Sequence, residues 1–252
     1  MHMKKTLFAL IIVGISSCGT QKQEQTAAYN EEAPQNNVTP GEAAEGWYSL
    51  FDGTSMKGWH IFRGGENNSW EVVDGTLHCK PFDDNGTNQR GDLITNDTFE
   101  NFELAFDWKI SEKGNSGVIF RVSEEFEQTY ASGPEYQLID DEGYPGDLQP
   151  GQHTGANYDM HAPAKDVSNA VGEWNTSRIV ANGNHIEHWL NGEKVVAYEL
   201  GSDDWNHLRD NSKWKDFPGY GGTMKGYIAL QDHGNEVWFR NIKIKPLATL
   251  EP

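Results

Sequence analysis

Past residue 45 the chain reads as short runs in which apolar and polar residues alternate, each closed by a turn pair. Trp70 to Val73, Asp74-Gly75 and Thr76 to Lys80 form one such unit. Trp174 to Ala181, Asn182-Gly183, His185 to Leu190, Asn191-Gly192 and Lys194 to Tyr198 form a longer one. A period of two puts alternate side chains on opposite faces of a strand. Asp-Gly and Asn-Gly supply the positive φ angles of tight hairpins. No segment in this region holds a helical period beyond about three turns, which excludes an α/β arrangement. The pattern predicts an all-β domain, a two-sheet antiparallel sandwich, over residues 46–250.

Gly226 to Lys245 is the most regular stretch. Its first strand places Tyr227, Ala229, Gln231 and His233 on one face, opposite Ile228, Leu230 and Asp232. Its second sets Val237, Phe239, Asn241, Lys243 and Lys245 against Trp238, Arg240, Ile242 and Ile244. The same parity puts Asn115, Ile119 and Arg121 opposite Val118 and Phe120, and Glu135 and Gln137 opposite Tyr136 and Leu138. Together these strands predict a polar floor of Arg121, Glu135, Gln137, Gln231 and His233. Any sandwich strand with one wet face looks similar. What favours a site is the residue choice: a Glu beside Arg and His can act as a general base of tuned pKa.

Long polar loops separate the strands, at 81–91, 123–133, 141–153, 159–172 and 201–224. Loops of this length are functional or mobile more often than idle. Their aromatic and His residues, among them Tyr144, His161, Trp205, His207, Trp214 and Tyr220, have two readings: stacking on sugar rings, or pinning their own loops to the sandwich. Asp140, Asp141, Glu142 and Asp147 are an acidic group with oxygen ligands for Ca2+ but without the spacing of a dedicated loop, and no metal is assigned. No H-E-x-x-H pattern links the histidines, and no cofactor is expected.

The N-terminus changes the setting. Lys4 and Lys5 precede an apolar run from Leu7 to Ile15 that is too short to span a membrane, and Ile15-Ser16-Ser17-Cys18 is similar to a bacterial lipobox. Residues 1–17 are expected to be a signal peptide, and Cys18 a lipidated first residue that anchors the chain to the cell envelope at the outer membrane. Residues 18–45, rich in Gln, Glu, Asn, Ala and Pro, are expected to be a flexible tether. Cys79 is then the one thiol left, so the fold has no internal disulfide. A formal net charge of -18 makes nucleic acid and anionic lipid surfaces poor partners and leaves neutral sugars or cations.

A set of ordered motifs carries a resemblance. Leu50-Phe51-Asp52-Gly53 with Gly58-Trp59, Trp70 to Gly75, Gly91-Asp92-Leu93-Ile94-Thr95, Asn115-Ser116-Gly117 with Arg121, and Glu135-Tyr136-Gln137 with Asp140 open it. Thr154-Gly155-Ala156 with Tyr158, Gly172 to Asn175, and Leu230 to Gly234 with Phe239 to Ile242 complete it. From about residue 47 to 247 the chain resembles the DUF1080 or 3-keto-disaccharide hydrolase family. That resemblance implies a concanavalin A-like jelly roll, common on Bacteroidota lipoproteins, acting on glycosides oxidised at C3 of the sugar. A C3 ketone acidifies the C2 hydrogen, so one base near C2 and donors on the C3 oxygen suffice for elimination of the C1 substituent, after which water adds. On this reading Glu135 is the base, Arg121 or His233 polarises the ketone, and Asn115, Gln137, Asp140, Tyr158 and Gln231 bind the substrate. A paired-carboxylate glycosidase ranks lower, because the Glu-x-Asp-x-x-Glu run of laminarinase-like relatives is missing. The alternative from another class is a non-catalytic, lectin-like lipoprotein.

Overall fold

The computed structural model describes residues 36–248 apart from 84 and 86–88. The signal segment and Cys18 lie outside the described residues. In chain order the strands are β1 (Tyr48–Ser49), β2 (Trp59–Ile61), β3 (Trp70–Val73), β4 (Thr76–Cys79), β5 (Leu93–Thr95), β6 (Phe102–Ile110) and β7 (Asn115–Val122). They continue as β8 (Glu135–Ile139), β9 (Asn175–Asn182), β10 (His185–Leu190), β11 (Glu193–Glu199), β12 (Tyr227–Leu230) and β13 (Val237–Pro246). Helix α1 (Pro40–Ala44) precedes them and α2 (Asp203–Asp210) falls between β11 and β12.

All pairings are antiparallel. The larger sheet runs β11-β10-β9-β6-β13-β4-β3, with β1 on β13, and the smaller runs β2-β5-β12-β7-β8. The expected all-β sandwich is what the chain forms. Its core lies between the sheets: Phe106, Trp108, Ile179 and Phe239 from the larger meet Val118, Phe120, Tyr136 and Leu138 from the smaller. Ser177 Oγ joins the layers, accepting from Trp108 Nε1 at 2.8 Å and bonding the Tyr136 hydroxyl at 2.9 Å. The turn pairs do what their chemistry dictates. Asp74-Gly75 and Asn191-Gly192 take positive φ at both positions, whereas in the β9–β10 turn only Gly183 does, the I′ and II′ patterns respectively.

Two features depart from the sequence reading. Residues 36–45 are folded rather than tether. Thr39 caps α1 in a capping box, Glu42 pairs with Lys243 at 3.0 Å, and buried Asn36 donates to the Gly75 carbonyl at 2.7 Å. Strict alternation also fails in two strands. Arg121 and Asn241 sit at φ 57° and 52°, each at or beside a register shift. Such bulges insert one residue and reverse the parity after it. In β13 this lets Val237 and Phe239, then Ile242 and Ile244, all reach the core.

Candidate active site

The outward face of the smaller sheet carries the site. Leu93, Val118, Leu138 and Leu230 point into the core, so Asp92, Gly117, Gln137 and Gln231 point the other way. The register aligns these four: Leu93 and Val118 both pair with Leu230, Gly117 pairs with Gln137, and Gln231 N–H donates to the Gly117 carbonyl at 2.9 Å. The next row holds Ile94, Ala229, Ile119 and Glu135.

Glu135 leans back over the first row. A Cβ at Gly117 would stand 2.1 Å from Glu135 Oε1, so only glycine leaves the carboxylate its bed. The Gln231 amide favours the charged form of that carboxylate. Gln137, in the orientation that satisfies both ends of its amide, donates to Glu135 Oε1 at 3.2 Å and to the Ser116 carbonyl at 3.1 Å, and its other end meets Asn115 at 3.3 Å. Asn115 in turn lies 3.5 Å from the Tyr144 hydroxyl. The Glu135 carboxyl is nevertheless pushed up to about 8, first by burial and then by the charge of Asp92; Lys213 and Gln231 act against the shift.

Loops form the walls. The segment at 155–158 runs beside β8, with Tyr158 N–H donating to the Glu135 carbonyl at 3.0 Å. This places Tyr158 next to Glu135, and burial and that neighbour's charge raise its hydroxyl to about 12. Opposite stands Lys213, at the start of a 3-10 turn (Lys213–Asp216). Its ammonium lies 4.3 Å from the Tyr158 ring centre and 4.5 Å from that of Trp214. Partial burial there lowers its pKa, against the attraction of Glu135 and Asp159.

A ladder of rings holds this turn in place. Trp214 stacks on Tyr220 at 4.2 Å, Tyr220 on Trp205 at 5.4 Å, and Trp205 on Tyr198 of β11 at 5.4 Å. Trp214 Nε1 also donates to the Tyr158 carbonyl at 3.0 Å. Trp205, Trp214 and Tyr220 are buried, so of the two readings of the loop aromatics these three follow the second and pin loops.

The predicted floor is therefore assembled in part. Asn115, Glu135, Gln137, Tyr158 and Gln231 come together. Arg121 does not. The bulge turns its fully buried side chain between the sheets, where Nη2 donates to the carbonyls of Glu100 at 2.9 Å and Gly183 at 2.8 Å. His233 is exposed in the turn after β12, because the strand ends at Leu230 and parity stops with it. Asp140 spends its carboxylate on the N–H groups of Lys113 at 2.7 Å and Gly143 at 2.8 Å, holding the loop after β8. Asp141 accepts from Thr154 N–H at 3.0 Å. Asp140, Asp141 and Glu142 line a cavity of about 450 Å³ at one end of the sandwich, with Trp108, Ile110 and Ile139 as its apolar part. No group of three or more His, Cys, Asp or Glu side chains among the described residues is arranged to hold a metal ion.

Two residues beside the assembled set were not in the sequence reading. Lys213 lies in a loop, where no period applies. Asp92 stood inside the quoted Gly91 to Thr95 motif, directly before the core residue Leu93, and its parity alone could have marked it.

Residues 46–245 match the model of the 3-keto-alpha-glucoside-1,2-lyase-like domain. The chain belongs to that family. A 3-keto-disaccharide hydrolase of Bacteroides thetaiotaomicron is 30% identical over 97% of this chain and 100% of the relative. Among solved structures, a protein of Parabacteroides distasonis provisionally named a glycosyl hydrolase is 40% identical with a TM-score of 0.78, covering 84% of this chain and 99% of its own. A second from the same organism, named alike, is 30% identical with a TM-score of 0.56 over 75% of this chain and 99% of its own. The match to the 3-keto-α-glucoside-1,2-lyase-like domain runs from just before β1 to the last residue but one of β13, and every residue of the assembled site lies inside it.

Proposed function

We propose that the protein cleaves the glycosidic bond of 3-keto-glycosides or 3-keto-disaccharides by elimination across C1 and C2, followed by hydration. The observation that carries this reading is the single carboxylate of Glu135. It is buried over Gly117, steadied by amides, faces a lysine ammonium, and has a pKa of about 8. A carboxylate this basic suits removal of the C2 proton, which the neighbouring ketone acidifies. As that proton leaves, negative charge collects on the C3 oxygen, and the Lys213 ammonium is the cation available to meet it. Gln137, Gln231, Asn115 and Tyr158 bind ring hydroxyls and hold C2 against the base. Arg121 and His233 have no part in this scheme. The names of the family and of its relatives support the choice of substrate class.

The test is release of aglycone from a 3-keto-glucoside, compared with the parent glucoside, by wild type and Glu135→Gln. Turnover of the keto sugar alone, lost in Glu135→Gln, is the expected result. Rate-limiting proton loss is further expected to give a primary isotope effect with substrate deuterated at C2. Binding of the keto sugar without turnover overturns the proposal and favours a lectin.

The same reading makes the protein a lipoprotein of the cell envelope, held through Cys18. Cys18→Ala is expected to move it from the membrane fraction to the soluble fraction.

A further inference from the structure

Cleavage at C1 moves two protons, and Glu135 handles one. The base takes hydrogen from C2, and the departing oxygen must gain a proton unless it leaves as an anion. The alkoxide of a sugar is a poor leaving group, so a second proton-handling group improves catalysis. Among the described residues, one carboxyl outside the proposed scheme shares the site's floor. Asp92 points outward from β5, immediately before the core residue Leu93, in the row it forms with Gln231, Gly117 and Gln137. Three strand spacings, roughly 14 Å of backbone, separate it from Gln137, but the Glu135 carboxylate lies over Gly117, two spacings from Asp92. A sugar above Gly117 has one carboxyl beneath it and another to its side.

Asp92 is held firmly without being used up. Oδ1 accepts the Asp232 N–H at 2.8 Å and Oδ2 accepts the Thr129 hydroxyl, so each oxygen keeps a lone pair. Asp92 is partly exposed, whereas Glu135 is almost fully covered. Asp232 is itself anchored by Arg90 Nε at 2.9 Å and Ser69 Oγ at 2.6 Å, which fixes the turn carrying the N–H that Asp92 accepts.

We infer that Asp92 is the second catalytic carboxyl, the acid that protonates the glycosidic oxygen as Glu135 removes the C2 proton. The inference rests on the elimination proposed above. In that step the C2–H electrons form the enolate of the C3 ketone. The enolate collapses to a C1=C2 double bond with the carbonyl restored, and the C1–O bond breaks toward oxygen. That oxygen bonds the proton from Asp92. Glu135 gains one proton and Asp92 loses one, so the reaction needs no other reactant and yields an unsaturated keto sugar and a free alcohol. Burial lifts the Asp92 carboxyl to about 6, well above an ordinary aspartate, against the hydrogen bonds from Thr129 and the Asp232 N–H, which favour its charged form. Because Glu135 is the more basic of the two, the proton rests on Asp92 in the minor form at neutral pH. That form pairs the stronger base with the stronger acid.

The test compares two leaving groups, p-nitrophenol and methanol, on 3-keto-glucosides. A nitrophenolate departs unaided; a methoxide does not. Asp92→Asn is expected to lose roughly 100-fold in kcat on the methyl substrate and only a few-fold on the nitrophenyl one, while Glu135→Gln loses both. Equal loss on both substrates, or no loss on either, overturns the inference. A second measurement needs no variant. In wild type the methyl rate is expected to level off above about pH 6 and to fall above about 8, where the form with Asp92 protonated and Glu135 ionised is lost, whereas the nitrophenyl rate rises to a plateau above about 8. Glu135, Asp232, Tyr130, Thr129 and the buried Cys79 face Asp92, and Lys213 faces Glu135. Titration of any group but the acid acts on both substrates alike, so superimposable profiles also overturn it. Failure of wild type to turn over either substrate instead removes the elimination itself.

Discussion

Oε1 of Glu135 occupies the space that a Cβ on Gly117 would need, 2.1 Å away. The glycine is not required by its backbone angle, because its φ is not among the positive ones. It is required by the carboxylate. Gly117→Ala is therefore expected to displace the end of a flexible side chain and leave β7 intact. Activity on a 3-keto-glucoside should fall at least tenfold, with a loss of stability of about 1 kcal/mol. A melting curve beside a rate measurement separates the two effects, and an Ala variant with full activity would show that Glu135 does not work from this position.

Burial of Glu135 also has a signature in stability. Its folded pKa is raised to about 8 from the ordinary 4.5 of a glutamate, so between these values the folded state binds the proton more tightly than the unfolded chain. The contribution of this group to stability therefore falls as pH rises through that window and levels off above about 8. Glu135→Gln keeps the shape and removes the charge. It is expected to melt roughly 5 °C higher than wild type at pH 9 and about equally at pH 5. Thermal scans at the two values check the sign.

Lys213 is held between two rings and faces the same carboxylate. Lys213→Met keeps most of the apolar stem against Tyr158 and Trp214 while removing the charge that meets the enolate. A loss of roughly 100-fold in kcat with little change in melting temperature is expected. Unchanged kcat would assign the lysine to the rim alone.

Arg121 separates structure from chemistry. Its guanidinium ties the carbonyls of Glu100 and Gly183 inside the sandwich, and truncation leaves both without their donor. Arg121→Met is expected to cost about 2 to 4 kcal/mol in chemical denaturation. The residual folded protein should keep a near-normal kcat. His233→Ala, by contrast, should change neither rate nor stability by more than about twofold in equilibrium or rate terms. A large, specific loss of kcat in either variant would return that residue to the site.

The sandwich was legible because its signals are local. Alternation marks a strand that is half buried, and Asp74-Gly75 or Asn191-Gly192 adopts its turn angles whatever the rest of the chain does. Glu135, Gln137, Asn115 and Gln231 were legible for the same reason, since Glu135 and Gln137 follow the period of two within β8, Asn115 precedes the bulge in β7, and Gln231 directly follows the last residue of β12. The errors have equally specific causes. A bulge at Arg121 inserts a residue that alternation does not count. The end of β12 at Leu230 removes the period before His233 is reached. The folding of 36–45 against Lys243 and Gly75 depends on contacts made about 200 and 40 residues away along the chain.

By itself, then, the sequence determined the strand faces, the turns and which amides and carboxylate could share a surface, because these depend on periods of a few residues. Tertiary structure alone decided that Gly117 makes room for Glu135, that a ladder of rings from Tyr198 to Trp214 sets Lys213 opposite it, and that Asp92 lies two strands from Gly117 on the same floor. Those relations join residues from β7, β8 and β11 with the residue before β5 and the segment between β11 and β12. Only sheet register and close packing bring such distant positions together, and neither is written in any short stretch of the chain.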